Sequence, residues 1–382
     1  MTSRPSNKQR RHIEEDKISP PPLRRKRQAG APDTSSGIAH QQTETSVALA
    51  NDAFQIFSWN VNGITRLLPK TQKSIKSFFA PPSPQGEDEG GAVPLRDFLK
   101  RHQWPQYVGL QEIKISTKDE ATRRAVEKAA NRSEGPGYKV YFSLPRDKYN
   151  ATGWGGKVYG VCTLLREDIT YSSEQNTKEA DWDVEGRVLI TELPSFGIVI
   201  INGYWVNGTM NPYRSPQTGE MVGTRHDRKR QFHSLMLEEI KSYQSKGWEI
   251  VLVGDMNIAR TSLDGYPGIR LGAEHVKNRA DFNRKFFEDE DGMHAIDTWR
   301  WIHGNKRGYS YHGESAKDWG SSCDRVDLGM VTPGLQKALV GAEIYESIEE
   351  RGGSDHVPIS VVLSERLMTG NTNEDRANDR GE

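Results

Sequence analysis

Residues 225–257 read RHDRKRQFHSLMLEEIKSYQSKGWEIVLVGDMN: a helical pattern, then an apolar run, then a polar tip. Phe232, Leu235, Met236, Leu237 and Ile240 recur at helical spacing, which predicts a long helix over Arg225–Gln244. Glu249–Gly254 (EIVLVG) is a short apolar run closed by a glycine, the pattern of a strand covered on both faces. A strand delivers its terminal residue to the rim of its sheet, where loops open a cleft, so Asp255 and Asn257 are expected there.

The same pattern recurs on either side. Phe54–Trp59 (FQIFSW) leads into Asn60, Asn62 and the Gly63 turn, and Tyr107–Leu110 leads into Glu112. Val158–Leu165, Val188–Leu193 and Ile198–Gly203 are β-branched runs, the last opening onto Tyr204 and Asn207. Val326–Val331 carries Asp327, and Asp355 and His356 precede the final run, Val357–Leu363. Residues 94–102 (PLRDFLKRH) begin with proline and continue at helical spacing. Strands and helices alternate irregularly, which predicts an α/β sandwich with mixed sheets.

The remainder of the 382 residues bounds the reading. Lys+Arg and Asp+Glu both number 52, so a nucleic-acid surface must be local rather than global. Hydrophobic content of 34% is low enough to predict disordered parts. Residues 1–50 form the first of these, a basic arm with Pro20-Pro21-Pro22 and the cluster Arg24-Arg25-Lys26-Arg27, which resembles a nuclear localisation signal. Residues 365–382 are expected to be a loose polar tail, leaving 51–364 as the folded domain. Two cysteines cannot build a disulfide framework, and no run approaches 18 apolar residues or a secretory core, so a soluble intracellular protein is expected.

The strand-end residues share a chemistry. Hydrolysis of a phosphodiester needs a hard cation on oxygen ligands, a group that handles water, and donors for charge developing on phosphorus. Glu112 suits the cation, with Asn62 and Asp355 beside it. His356 suits the phosphate or the water, and Asp327 could hold its ring. Asp255 could activate water, while Asn257, Tyr204 and Asn207 could donate hydrogen bonds. Any one of these segments alone also fits an ordinary turn or surface loop. Their joint occurrence, in this order, carries the reading.

The motifs WNVNG, LQEIK, EGR (Glu185–Arg187), NGYWVN, GDMNIA with Asp264 following, DRVD and GSDH resemble, in order, those of the exonuclease III / AP endonuclease family. That family lies within the endonuclease–exonuclease–phosphatase (DNase I-like) superfamily, and the resemblance covers roughly residues 54–363. It implies a four-layered α/β sandwich, two packed mixed sheets flanked by helices. It implies Asn62 and Glu112 as metal ligands, and Asp355 and His356 as a metal and phosphate pair with His356 oriented by Asp327. Asp255 then handles water or leaving group, Asn257 is a transition-state donor, and Tyr204 contacts phosphate. Asp255 and Asn257 could instead hold a second ion. The implied activity is Mg2+-dependent DNA repair, with Mn2+ as a substitute: incision 5′ to abasic sites, 3′→5′ exonuclease action or 3′-end cleaning. The implied partner is double-stranded DNA, while the nucleus is expected from the basic cluster Arg24-Arg25-Lys26-Arg27. Three positions depart from the pattern: Asp324 stands where a pocket tryptophan is usual, with Tyr311 and Trp319 as aromatic replacements; Leu328 follows Asp327; and a long insertion follows Gly63. A phospholipid or RNA phosphodiesterase, or a non-catalytic adaptor, are the alternative readings.

The insertion, residues 64–93, carries a second signal. Gln72-Lys73-Ser74-Ile75-Lys76-Ser77-Phe78-Phe79 resembles a PIP box, the motif that binds the sliding clamp PCNA. One tight helical turn would present Ile75, Phe78 and Phe79 as an apolar plug with Gln72 as a hydrogen-bonding foot. DNA contacts are expected from Lys114, Lys118, Arg146, Lys148, Trp154, Lys157, Arg260, Arg270, Lys277 and Arg279.

Overall fold

The structure is a computed structural model that describes residues 53–69, 94–132, 134–151, 159–169, 176–313 and 320–370. Its strands in chain order are β1 (Ala53–Asn60), β2 (Tyr107–Gln111), β3 (Tyr138–Ser143), β4 (Val161–Arg166), β5 (Asn176–Glu179), β6 (Val188–Leu193), β7 (Ile198–Tyr204), β8 (Pro212–Arg214), β9 (Met221–Thr224), β10 (Glu249–Asp255), β11 (Gly265–Tyr266), β12 (Ile296–Asp297), β13 (Tyr311–His312), β14 (Cys323–Asp324), β15 (Asp327–Val331), β16 (Leu339–Ile344) and β17 (Ile359–Ser364). The helices are α1 (Pro94–Arg101), α2 (Glu120–Ala130), α3 (Arg225–Gln244), α4 (Ala273–Asn283), α5 (Thr298–His303), α6 (Ile348–Arg351) and α7 (Glu365–Gly370).

Two six-stranded sheets dominate, ordered β16-β17-β1-β2-β4-β3 and β12-β15-β10-β7-β6-β5. Both are mixed: β1 runs parallel to β2 and antiparallel to β17, and β10 runs parallel to β7 and antiparallel to β15. Alternation along the central strands builds three cores. Phe54 and Ile56 of β1 meet Val251 and Val253 of β10 between the sheets. Phe57 and Trp59 turn outward onto Leu95, Phe98 and Leu99 of α1 and Val126 of α2. Ile250 and Leu252 turn outward onto Phe232, Met236 and Ile240 of α3 and Phe282 of α4. A period of two thus gives each strand two apolar faces, and the layers stack helix, sheet, sheet, helix, the expected four-layered sandwich.

α3 begins where its sequence allows. Thr224 accepts from the Asp227 amide while Asp227 reaches back to the Thr224 amide, a capping box that fixes the helix start. The next-to-last residue of β10 is Gly254 (φ 145°), where a Cβ would lie 1.9 Å from the Gly203 carbonyl oxygen. No side chain fits there, so the two parallel strands reach the rim together.

Topology explains why remote residues meet. Parallel neighbours end on one rim, and an antiparallel neighbour begins there. Asp255 therefore sits level with Tyr204 on one side and Asp327 on the other, and Asn60 sits level with Gln111, just before Glu112. β17 starts beside the end of β1, which brings Asp355 and His356 to the same place.

Some elements differ from expectation. Glu365–Gly370 is helical rather than a loose tail, because Met368 inserts into the core between the sheets. β4 starts at Val161, three residues later than expected. The motif Gln72, Ile75, Phe78 and Phe79, the basic arm, Trp154, Lys157 and Trp319 lie outside the described residues.

Candidate active site

The strand ends enclose a cleft of about 690 Å3 whose lining includes Asn60, Asn62, Glu112, Tyr204, Asn207, Asp255, Asn257, Tyr311, Asp355 and His356. Asp327 is buried directly behind His356: its Oδ2 lies 2.7 Å from the ring Nδ1. Every residue the sequence singled out for chemistry is therefore at this one place.

Two hydrogen-bonded groups divide it. In the first, the Asn60 amide donates to Asp255 Oδ2 at 2.9 Å and lies 3.5 Å from His356 Nε2. The Asn257 backbone donates to Asp255 Oδ1 at 2.8 Å, and its side chain donates to Asp255 Oδ2 at 3.2 Å and to the Trp205 carbonyl at 3.0 Å. His356 is fixed further by Trp59, whose indole N–H donates to the His356 carbonyl, and by the Tyr311 ring 5.0 Å away. In the second group, the Asn62 amide donates to Asp355 Oδ1 at 2.9 Å, and the Tyr204 hydroxyl donates to Glu112 Oε1 at 2.8 Å. Asn62, Glu112, Lys114 and Asn257 all have φ between 46° and 55°. Left-handed backbone at non-glycine residues is strained, about 1–3 kcal/mol each, and it is tolerated here because the surrounding rim holds it.

Electrostatics separate the ionisable groups. Burial raises Asp255 to about 7, and the neighbouring Asp327 charge adds to the rise. For His356 burial opposes the charge, but the Asp327 carboxylate outweighs it, followed by Asp255 and Asp355, and the imidazole is pushed up to about 10. Burial, with Glu112 and Asp255 nearby, holds the Tyr204 phenol well above its ordinary range, so it remains a donor.

The oxygen set around Asn62 and Glu112 suits a hard cation. The Lys114 ammonium already lies against Asn62 Oδ1 and 3.6 Å from Glu112 Oε2, so a positive charge stands where these oxygens converge. Asp255, Asp327 and His356 offer a second set of ligand atoms, all within 4.8 Å of one another. The His356 ring is already engaged by Asp327 through Nδ1, which makes the hydrogen-bonded role the stronger one for the ring.

Several cleft residues were not singled out from sequence. Arg187 is fully buried and lies 3.9 Å over the Tyr159 ring, held by Glu185, which also receives Arg225 and Arg228. Arg187, Arg225, Arg66 and Lys114 set four cations in the lining beside the carboxylates Glu112, Asp255 and Asp355. The EGR triplet was the available signal for Arg187. Arg225 read simply as the start of a helix.

Other residues named from the sequence sit as follows. Asp324 does not line the main cleft. It lines an adjoining cavity of about 40 Å3 with Lys229, Arg270, His275 and Arg279, one that shares Asn207 and Asn257 with the cleft, because β14 pairs with β11 and β13 in a small third sheet. Arg260 is not a free surface cation: it is bonded to Asp297 and lies 3.3 Å over Phe287. Arg146 is paired with Glu179 and Lys277 with Glu274. Leu328, where an aromatic is usual, is packed into the core beneath α3.

Two packed mixed sheets whose strand ends gather carboxylates, amides and an imidazole into one cleft define a hydrolase of the α/β-sandwich class. The chain belongs to the Endonuclease/Exonuclease/phosphatase family, whose model matches residues 57–356. Among curated proteins it is similar to an exodeoxyribonuclease III of Haemophilus influenzae, 26% identical over 185 residues that make up 48% of this chain and 57% of that one. It is also similar to the DNA-(apurinic or apyrimidinic site) endonuclease 2 of Saccharomyces cerevisiae, 25% identical over 280 residues, 62% of this chain and 49% of that one. The chain thus spans about half the length of these curated relatives. The crystal structure of the Xenopus laevis APE2 catalytic domain shares its fold, with a TM-score of 0.55 at 19% identity over 81% of this chain and 92% of that one.

Proposed function

We propose that this protein is a Mg2+-dependent DNA phosphodiesterase of DNA repair that incises 5′ to abasic sites, acts as a 3′→5′ exonuclease, or cleans 3′ ends. The observation that carries this reading is the convergence of Glu112, Asn62 and Asp355 with Asp255, Asn257 and the His356–Asp327 pair in one cleft that Arg66, Lys114, Arg187 and Arg225 also line. The names of the two curated relatives support DNA as the substrate.

Each residue has a task that its position allows. His356, gripped by Asp327, carries a proton toward the cleft and donates to a non-bridging phosphate oxygen. Asp255, held at both oxygens by Asn60 and Asn257, faces the same phosphate and takes the proton of the attacking water. Its raised pKa fits proton transfer near neutrality, and the opposite charge preference of His356 separates base from electrostatic stabiliser. Asn207 donates to the phosphate from the β7 side, and Tyr204 donates beside it once its hydroxyl turns from Glu112, which a divalent ion would then engage. A divalent ion held by Glu112 with Asn62 and Asp355 would neutralise phosphate charge, Lys114 moving aside.

The test is a gel assay with duplexes carrying an abasic site, a recessed 3′ end or a 3′-phosphate. We expect cleavage of at least one substrate in Mg2+ and none in EDTA. No cleavage of any substrate in Mg2+ or Mn2+ would overturn the proposal.

The insertion adds a partner to this reading. Its Gln72-x-x-Ile75-x-x-Phe78-Phe79 spacing supports binding to the clamp PCNA. Alanine at both Phe78 and Phe79 should abolish clamp affinity in calorimetry while nuclease activity persists. Unchanged affinity would contradict it.

A further inference from the structure

The first two turns of α3 carry an interaction that the chemistry above does not use. Lys229 is 2% exposed, and its ammonium donates to three main-chain carbonyls: Val206 at 2.8 Å, Met256 at 3.2 Å and Asn257 at 3.0 Å. Val206 lies in the loop after β7, immediately before Asn207, and Met256 and Asn257 lie in the loop after β10. One side chain therefore uses all three of its N–H donors to tie together the two loops that carry the cleft residues Asn207 and Asn257.

The detail at Asn257 gives this tie a purpose. Asn257 has φ 52°, and Lys229 grips the carbonyl on each side of it. In a planar trans peptide the C=O and N–H point in opposite directions. The 256–257 peptide thus points its oxygen at Lys229 and its N–H at Asp255 Oδ1, 2.8 Å away. Hydrogen bonds in such a chain polarise one another, so the ammonium strengthens the bond that holds the Asp255 carboxylate. Lys229 makes no ion pair among the described residues; burial pushes it down to about 7 against the pull of the nearby Asp255 charge, so carbonyl dipoles do most of the work of holding its proton, an expensive way to bury a charge. An apolar side chain could fill the same volume. It could not fix the two peptide planes around Asn257.

We propose that Lys229 is a positioning residue that acts through the 256–257 peptide to hold Asp255 and Asn257, and through Val206 to hold Asn207, in register across the cleft. The proposal rests on the phosphodiesterase reading for its kinetic consequence and on geometry alone for its structural one, and the two are read separately. Lys229→Met keeps the volume and removes the donors. Lys229→Ala leaves a space that ethylammonium can refill.

The experiment measures amide hydrogen exchange in the full chain, together with cleavage kinetics on the duplex the wild type cuts best. In Lys229→Met, exchange over residues 205–208 and 255–258 should accelerate at least tenfold while the second half of α3 exchanges as in the wild type. kcat should fall at least tenfold with KM within threefold. In Lys229→Ala, ethylammonium should slow exchange in the same two loops, and restore kcat, where the same concentration of sodium chloride does not. Unchanged exchange in both loops for both variants would overturn the proposal. So would a fall in kcat that only matches the unfolded fraction, because that is what a purely structural lysine gives. If the wild type cuts no duplex, the phosphodiesterase reading fails, and the exchange data alone then decide for or against Lys229.

Discussion

At the scale of single residues, the candidate site was readable because its members are polar groups abutting apolar strands. Asp255, Glu112 and Tyr204 stand at or just past strand ends, where a polar residue after a buried run has few placements other than the rim. Arg187 and Lys229 were not readable in that way. A buried arginine and a buried lysine look like solvated surface in a sequence, and their burial follows from partners far along the chain: Glu185 with two further arginines for one, three main-chain carbonyls for the other. The site's geometry makes a definite prediction at this scale. Asp327 Oδ2 is the hydrogen-bond acceptor of His356 Nδ1, so Asp327→Ala should leave the ring unoriented and less readily charged. Turnover should fall by about two or more orders of magnitude while substrate binding changes little. Steady-state kinetics on a single duplex substrate checks this, and equal kcat in variant and wild type would refute the pairing's role.

At the scale of elements, the long helix and the central strands followed from periodicity, whereas α2, α4 and α5 did not. α2 reads EATRRAVEKAA and buries Val126, Ala129 and Ala130, too few and too small for a clear apolar stripe. Its start is set by Asp119 capping the Thr122 amide, a signal weaker than the charge around it. β11 and β14 are two residues each, and an ion network rather than a pattern fixes them. Arg325 donates to Asp264 through Nε and to both Asp297 oxygens, while Arg260 shares Asp297. Removing one acid strands a buried cation, so Asp297→Ala should cost about 3–5 kcal/mol in urea denaturation. A change under about 1 kcal/mol would show that the network is dispensable. α3 offers a prediction in pH. Burial lowers His233 from its ordinary 6.5 to about 4, despite its hydrogen bond with Asp281. Below about 6.5 the unfolded chain binds a proton that the folded protein refuses until about 4. This contribution to stability is therefore complete above 6.5 and is lost as pH falls toward 4. His233→Asn should flatten the stability curve across that window, and an unchanged slope would place the titration elsewhere.

At the scale of the whole molecule, equal numbers of basic and acidic residues conceal a local field. Arg66, Lys114, Arg187 and Arg225 gather at the cleft beside the carboxylates Glu112, Asp255 and Asp355, and of these cations Arg66 is an exposed one at its edge. Under the proposed function, a duplex drawn to these cations would make phosphate contacts that release counterions. Arg66→Ala should weaken binding about equally for all sequences and reduce the slope of log K against log salt by about one. An unaltered slope in fluorescence anisotropy would remove Arg66 from the phosphate track. The central claim is that a divalent ion at Glu112 and the hydrogen-bonded His356 serve one phosphodiester. The most direct measurement is the initial rate on an abasic duplex against free Mg2+, for wild type and Glu112→Ala. Wild-type activity should be absent in EDTA and saturate with Mg2+, and the variant should lose at least tenfold in rate or require at least tenfold more ion. Cleavage that persists in EDTA, or a variant curve that overlays the wild type, would contradict the account.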